Sequence, residues 1–251
     1  MNVSKILILP IGIQVLILSG LLSLFQSSSL FATEIHLNSG AKNPFAATDG
    51  SGFYDKLVPV LFERIGIKGT VSWLPSERAL LNANKGIDDG NIARIKGIEK
   101  KYTNLIRVPE QVVDFTFMGY SHRKDITLTN WDSIKKYRVG IIRGWKIYEK
   151  NLKDSKALLI ARSPEQLFSM LKHERVDLVM YDRWQAQYWM KKLSYQVPAL
   201  DKPIVSKNMF IYMHKKNKNL VPKIADAIRA MKKDGSYQKI LDSTLGSLQS
   251  Q

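Results

Sequence analysis

Arg94 and Asp182 close two matching stretches of the chain. The first runs Ser76-Glu77-Arg78-Ala79-Leu80-Leu81, through Gly86-Ile87-Asp88-Asp89-Gly90, to Asn91-Ile92-Ala93-Arg94. The second runs Ser163-Pro164-Glu165-Gln166-Leu167-Phe168, through Arg175-Val176-Asp177-Leu178-Val179-Met180, to Tyr181-Asp182. Each reads as a capped helix, a tight turn with an acid, a short apolar strand and then one charge. Ligands of open α/β sheets sit beyond the carboxyl ends of strands. Two α/β halves whose strands end in opposite charges could hold a small polar molecule between them. An arginine there offers a bidentate fork for a carboxylate; alternatively Arg94 forms a salt bridge with Asp88 or Glu110. Asp182 also reads as a plain helix cap. The repeat itself has a plainer reading too, as two unrelated units of one sheet.

Little in the chain points to catalysis. His36, His122, His173 and His214 are scattered without metal-ligand spacing, and no nucleophile elbow, zinc-protease motif or phosphate loop is present. The expectation is a binding protein without cofactor or metal. The chain has no cysteine, which excludes disulfides, a thiolate metal site and a lipid-carrying amino-terminal cysteine.

The elements that would position these residues begin after an export signal. Lys5 precedes an apolar run from Ile6 to Phe25, then Ser27-Ser28-Ser29 and Leu30-Phe31-Ala32. This is the basic start, apolar centre and small-residue end of a secretory signal over residues 1–32. Cleavage is expected after Ala32 or near Ser29. The other reading is an uncleaved anchor, since ~20 apolar residues can span a bilayer. A periplasmic monomer is expected. The net charge is +16. The basic residues are spread along the chain without a nucleic-acid-binding signature, so we read solvated lysine faces and a field that draws anions.

Alternating strands and helices follow. Strands are expected at Glu34–Asn38, Thr70–Trp73, Leu105–Val108, Val112–Tyr120, Tyr137–Ile142, Ala157–Ile160 and Met209–Met213, with a weak one at Tyr195–Leu200. Helices are expected at Phe53–Ile65, kinked or starting late because of Pro59, and near Trp145–Leu152, Asp182–Lys192, Val221–Met231 and Tyr237–Leu245. Ser163, Pro164 and Gln166 suit a capping box.

In this order the chain resembles the periplasmic solute-binding proteins of the polar amino-acid type, which serve ABC importers. The resemblance rests on Asn43-Pro44-Phe45, Asp49-Gly50-Ser51-Gly52-Phe53, Gly86-Ile87-Asp88-Asp89 and Val139-Gly140-Ile141-Ile142-Arg143-Gly144. It extends through Arg175-Val176-Asp177-Leu178-Val179 to Lys233-Asp234-Gly235-Ser236-Tyr237-Gln238-Lys239-Ile240-Leu241. It implies a two-lobed α/β fold of type II with two crossing strands as hinge. Lobe one would hold 33–111 and 207–251, and lobe two 112–206. It implies capture of a small polar ligand, an amino acid or other carboxylate, for a membrane permease. A sensor kinase is the alternative partner, and a small-acid dehydratase a less favoured activity on the same fold. By resemblance Asp182 takes the ligand's ammonium, and Gly144 marks a helix start whose free N–H groups favour anions. The chain departs from the family where an aromatic residue usually precedes the first-lobe helix; Pro75-Ser76-Glu77-Arg78 stands there. The threonine-rich turn that carries the family's arginine is also absent. Trp145 could supply the missing stacking surface. Glu77 and Arg78 are further candidates at the same edge, Glu77 alternatively serving only the helix dipole. Phe45 fits core and cleft equally.

Overall fold

Short β-branched and apolar runs alternate with amphipathic helices, and the result is one mixed sheet. The computed structural model describes residues 34–200 and 202–248; the expected export signal lies outside them. The strands are β1 (Glu34–Ser39), β2 (Lys68–Trp73), β3 (Gly90–Arg94), β4 (Leu105–Tyr120), β5 (Arg138–Ile142), β6 (Ala157–Ala161), β7 (Leu178–Asp182) and β8 (Val205–His214). Their order in the sheet is β2-β1-β3-β8-β4-β7-β5-β6. β1 lies parallel to β2 and β3; β5 lies parallel to β6 and β7. The two sets are joined by the antiparallel pair β4 and β8.

The two matching stretches therefore occupy equivalent places. α2 (Ser76–Lys85) feeds β3, and α5 (Pro164–Lys172) feeds β7. Each of these strands is flanked by a parallel neighbour and by one of the two long strands. All five residues of β7 are buried, as expected of a central strand covered on both faces.

Helices cover the sheet where their apolar faces require it. α1 (Phe53–Glu63) packs on β2, with Phe53, Tyr54, Leu57, Val58, Leu61 and Phe62 buried. Pro59 lies inside it, and the helix starts at Phe53, not late. Pro59 is on the exposed side, so its ring faces away from the packed core. α3 (Trp131–Lys135) is capped by Asn130. α4 (Lys146–Asn151) and α6 (Arg183–Lys192) follow β5 and β7, and α7 (Val221–Lys233) and α8 (Ser236–Thr244) close the chain.

Three expectations are corrected. Leu105–Val108 and Val112–Tyr120 are one strand, not two; Pro109 falls where the β4–β8 register shifts between Arg107 and Gln111. A proline cannot donate to the ladder, and an irregularity absorbs it without ending the strand. Tyr195–Leu200 is no strand; an isolated bridge, Tyr120 to Ala199, lies there. Gln166 accepts the N–H of Arg162 at 2.7 Å, not that of Ser163. Ser163 does cap α5, accepting from Gln166 N at 3.3 Å.

Candidate functional site

Arg94 is set by a break in its own strand. Strict alternation would send Arg94 to the same side as Ile92, which is fully buried in the core. The β3–β8 register shifts between Asn91 and Arg94, and Ala93 adopts φ 69°. A left-handed alanine costs on the order of 1 kcal/mol or more. The irregularity frees Arg94 from the alternation, as bulges do beside sites. Arg94 Nε donates to Asn91 Oδ1 at 2.6 Å; Nη1 and Nη2 donate to the Oγ and backbone O of Ser76, both at 2.9 Å. Asn91 is held in turn by Asn38, whose Nδ2 donates to the backbone O of Ala79 at 2.9 Å. A side chain at Gly40 would place its Cβ 2.6 Å from both Arg94 Nη2 and Ser76 Oγ, so that close approach requires glycine.

These bonds occupy three of the five N–H donors of a guanidinium. No carboxylate among the described residues pairs with Arg94. Asp88 and Glu110, its alternative partners, are engaged elsewhere: Asp88 with Asn38 and His36, Glu110 with Lys232 and Arg229. Burial lowers the Arg94 pKa from its ordinary value to about 10. An unpaired, desolvated guanidinium gains from any anion that reaches it.

A small chamber of about 60 Å³ reaches Arg94, with Ala93, Phe115, Trp145 and Lys146 in its walls. A second chamber, of about 290 Å³, shares Gly40, Ser76 and Trp145 with it and adds Lys42, Arg143, Arg162 and Gln185. Trp145 is thus common to both. It stacks on Phe115 at 6.0 Å and on Tyr148 at 5.8 Å between ring centres, and tilts against Tyr181 at 5.1 Å.

The two sheet halves touch beside Trp145. Gly144 has φ 82°, and a Cβ there would lie 2.8 Å from Glu77 N and 2.9 Å from Ser76 Cβ. Lys146, the first residue of α4, bridges Glu77 of α2 and Glu149. The helix start beside Gly144 is not open to an anion, in contrast to the expectation. Glu149 Oε1 already accepts the Gly144 N–H at 2.6 Å.

Besides Gly144, three candidates are not brought to the chambers. Asp182 is fully buried and caps α6; Oδ1 accepts Gln185 N at 3.2 Å and Oδ2 accepts Thr116 N at 3.1 Å. Burial pushes its carboxyl up to about 8, although both backbone bonds pull it down. Phe45 is also fully buried, stacked on Tyr54 at 4.9 Å and against Phe115 at 4.9 Å; it belongs to the core. Arg78 is exposed on α2 and lines neither chamber. Sequence reasoning missed Ser76, Asn91 and Lys146. Ser76 reads as a cap, yet it is the first helical residue and its oxygens face Arg94. Asn91 carried a usable signal: an amide inside an apolar strand is disfavoured there and needs partners.

No protein-family model matches the chain. An uncharacterised protein of Shewanella oneidensis is 24% identical over 187 residues, covering 70% of this chain and 69% of that protein. Among solved structures, a histidine kinase sensor domain with similarity to periplasmic binding proteins superposes with a TM-score of 0.74 at 13% identity, over 86% of this chain and 96% of that one. The substrate-binding protein of an amino acid ABC transporter gives 0.69 at 17% identity, over 85% of this chain and 99% of that one. The fold is the type II periplasmic-binding-protein fold, as the sequence resemblance implies. At these identities the likeness is one of fold.

Proposed function

We propose that this protein is an exported solute-binding protein that captures a small carboxylate-bearing molecule between two lobes for an ABC importer. The observation that carries this reading is the Arg94 guanidinium, half-buried at a chamber, hydrogen-bonded on one side and without a carboxylate partner among the described residues. Lobe one is 33–111 with 207–251 and lobe two is 112–206, hinged where β4 and β8 cross. The sheet order, with three strands on each side of that pair, supports the division. The contact of Gly144 and Lys146 with Ser76 and Glu77 is then the closed state's seam. The role is capture, not catalysis.

A thermal-shift screen of the mature protein against small carboxylates and neutral sugars tests the reading. Carboxylates should raise the melting temperature; stabilisation by sugars alone would overturn it. For export, the mature chain should begin at or near Thr33, and amino-terminal sequencing that finds Met1 on a membrane-bound protein would contradict it. The second reading is ligand sensing for a membrane receptor kinase, favoured by the likeness to a kinase sensor domain. Both use the same cleft and differ in the surface that docks.

A further inference from the structure

The charges around the two chambers do not match a zwitterionic amino acid. The inner chamber has Arg94 and Lys146 in its walls and no acid. The outer chamber has Lys42, Arg143 and Arg162, with Glu77 as its one acid among the described residues. Glu77 is already taken by Lys146. Asp182, the acid expected to receive an ammonium, is fully buried and holds two backbone N–H groups. An ammonium in this cleft would meet several cations and no unengaged carboxylate.

The outer chamber looks built for a second anion. Arg143 and Arg162 follow the adjacent parallel strands β5 and β6, and the backbone N–H of Arg143 bonds the carbonyl of Ala161 at 3.0 Å. That pairing brings the two arginines to one sheet edge. Neither side chain has a carboxylate or hydrogen-bond partner among the described residues. Lys42 stands near Glu165 at 3.8 Å and over the Trp73 ring at 5.3 Å. The Gln185 side chain, 1% exposed, lines the same chamber, and its Nε2 has no partner. An unpaired buried donor is costly unless something accepts from it. Between the chambers the wall is aromatic, with Trp145 common to both and Trp73 and Tyr181 in the outer one.

We infer that the ligand is an elongated dicarboxylate without an ammonium group, one end on Arg94 and the other on Arg143 and Arg162, its apolar middle passing Trp145. This rests on the reading of Arg94 given above and narrows it from carboxylates in general to a two-anion class.

Calorimetric titration of the mature protein with glutarate, adipate, pentanoate, hexanoate, glutamate and arginine tests it. At least one dicarboxylate should bind roughly ten- to hundred-fold more tightly than the monocarboxylate of equal length. Arg143→Ala combined with Arg162→Ala should erase that difference, and both side chains are exposed, so the fold should survive. Arg143→Lys in the otherwise native chain should retain part of it. Equal affinity for both classes, no binding by either dicarboxylate, or tighter binding of glutamate or arginine would overturn the inference while leaving Arg94 as a carboxylate clamp. Carboxylates that bind equally well to wild type and Arg94→Ala would instead remove the underlying reading.

Discussion

Arg94 and Asp182 stand at equivalent strand ends yet meet opposite fates, and the reason lies in a few atoms. Arg94 follows a strand irregularity and ends beside a chamber; Asp182 follows a regular strand end and turns inward to cap a helix. Periodicity could place both charges at the sheet edge, because the edge follows from the helix–strand pattern. It could not foresee which would turn inward, because that depends on a one-residue register shift and on the N–H of Thr116, a residue distant in sequence. The buried Asp182 carboxyl has a testable consequence. Its pKa is raised to about 8 from the 3.8 of an unperturbed aspartate. The folded state therefore holds the proton more tightly, so this group's contribution is full below about pH 4 and is lost as pH rises towards 8. Melting curves from pH 5 to pH 9 should fall more steeply in wild type than in Asp182→Asn, since asparagine can still cap. Ligand affinity should be unchanged in that variant, with or without an ammonium on the ligand. A selective loss for ammonium-bearing ligands would return Asp182 to the cleft.

At the scale of elements, most of the architecture was legible. The two helix–strand stretches, the turn at Gly86, the Ser163 cap and the long amphipathic α7 all fall where their sequence patterns put them. What misled was Pro109, which divides β4 in sequence but only disturbs its register in space, and the apolar Tyr195–Leu200 segment, where Pro198 cannot donate to a ladder and only an isolated bridge forms. The seam between α2 and α4 was not legible at all, because it joins residues about seventy positions apart with no shared pattern. It makes a sharp prediction. Gly144→Ala would combine a disfavoured positive φ with a Cβ 2.8 Å from Glu77 N. The variant should fold, since the clash lies between the two sheet halves and not within either core, but it should bind at least tenfold more weakly. Titration together with small-angle scattering of the liganded variant checks this; wild-type affinity and an unchanged radius of gyration would show that the seam does not report closure.

At the scale of the molecule, charge and architecture point the same way. A chain of net charge +16 presents a field that favours anionic ligands, and three arginines without a carboxylate partner among the described residues, Arg94, Arg143 and Arg162, line the chambers. Two sheet halves joined by two strands can hinge, and a ligand shifts such an equilibrium only by its preference for the closed state. A carboxylate on Arg94 supplies that preference if the other half also touches it, as Trp145 and Lys146 do at the chamber wall. The most direct test is titration calorimetry of one stabilising carboxylate against wild type and Arg94→Ala. A charge-assisted bond is worth ~1.5–3 kcal/mol, so the variant should bind roughly ten- to hundred-fold more weakly, in addition to the apo stability lost with its bonds to Asn91 and Ser76. Equal affinity in the two proteins would contradict the account and make Arg94 a structural residue.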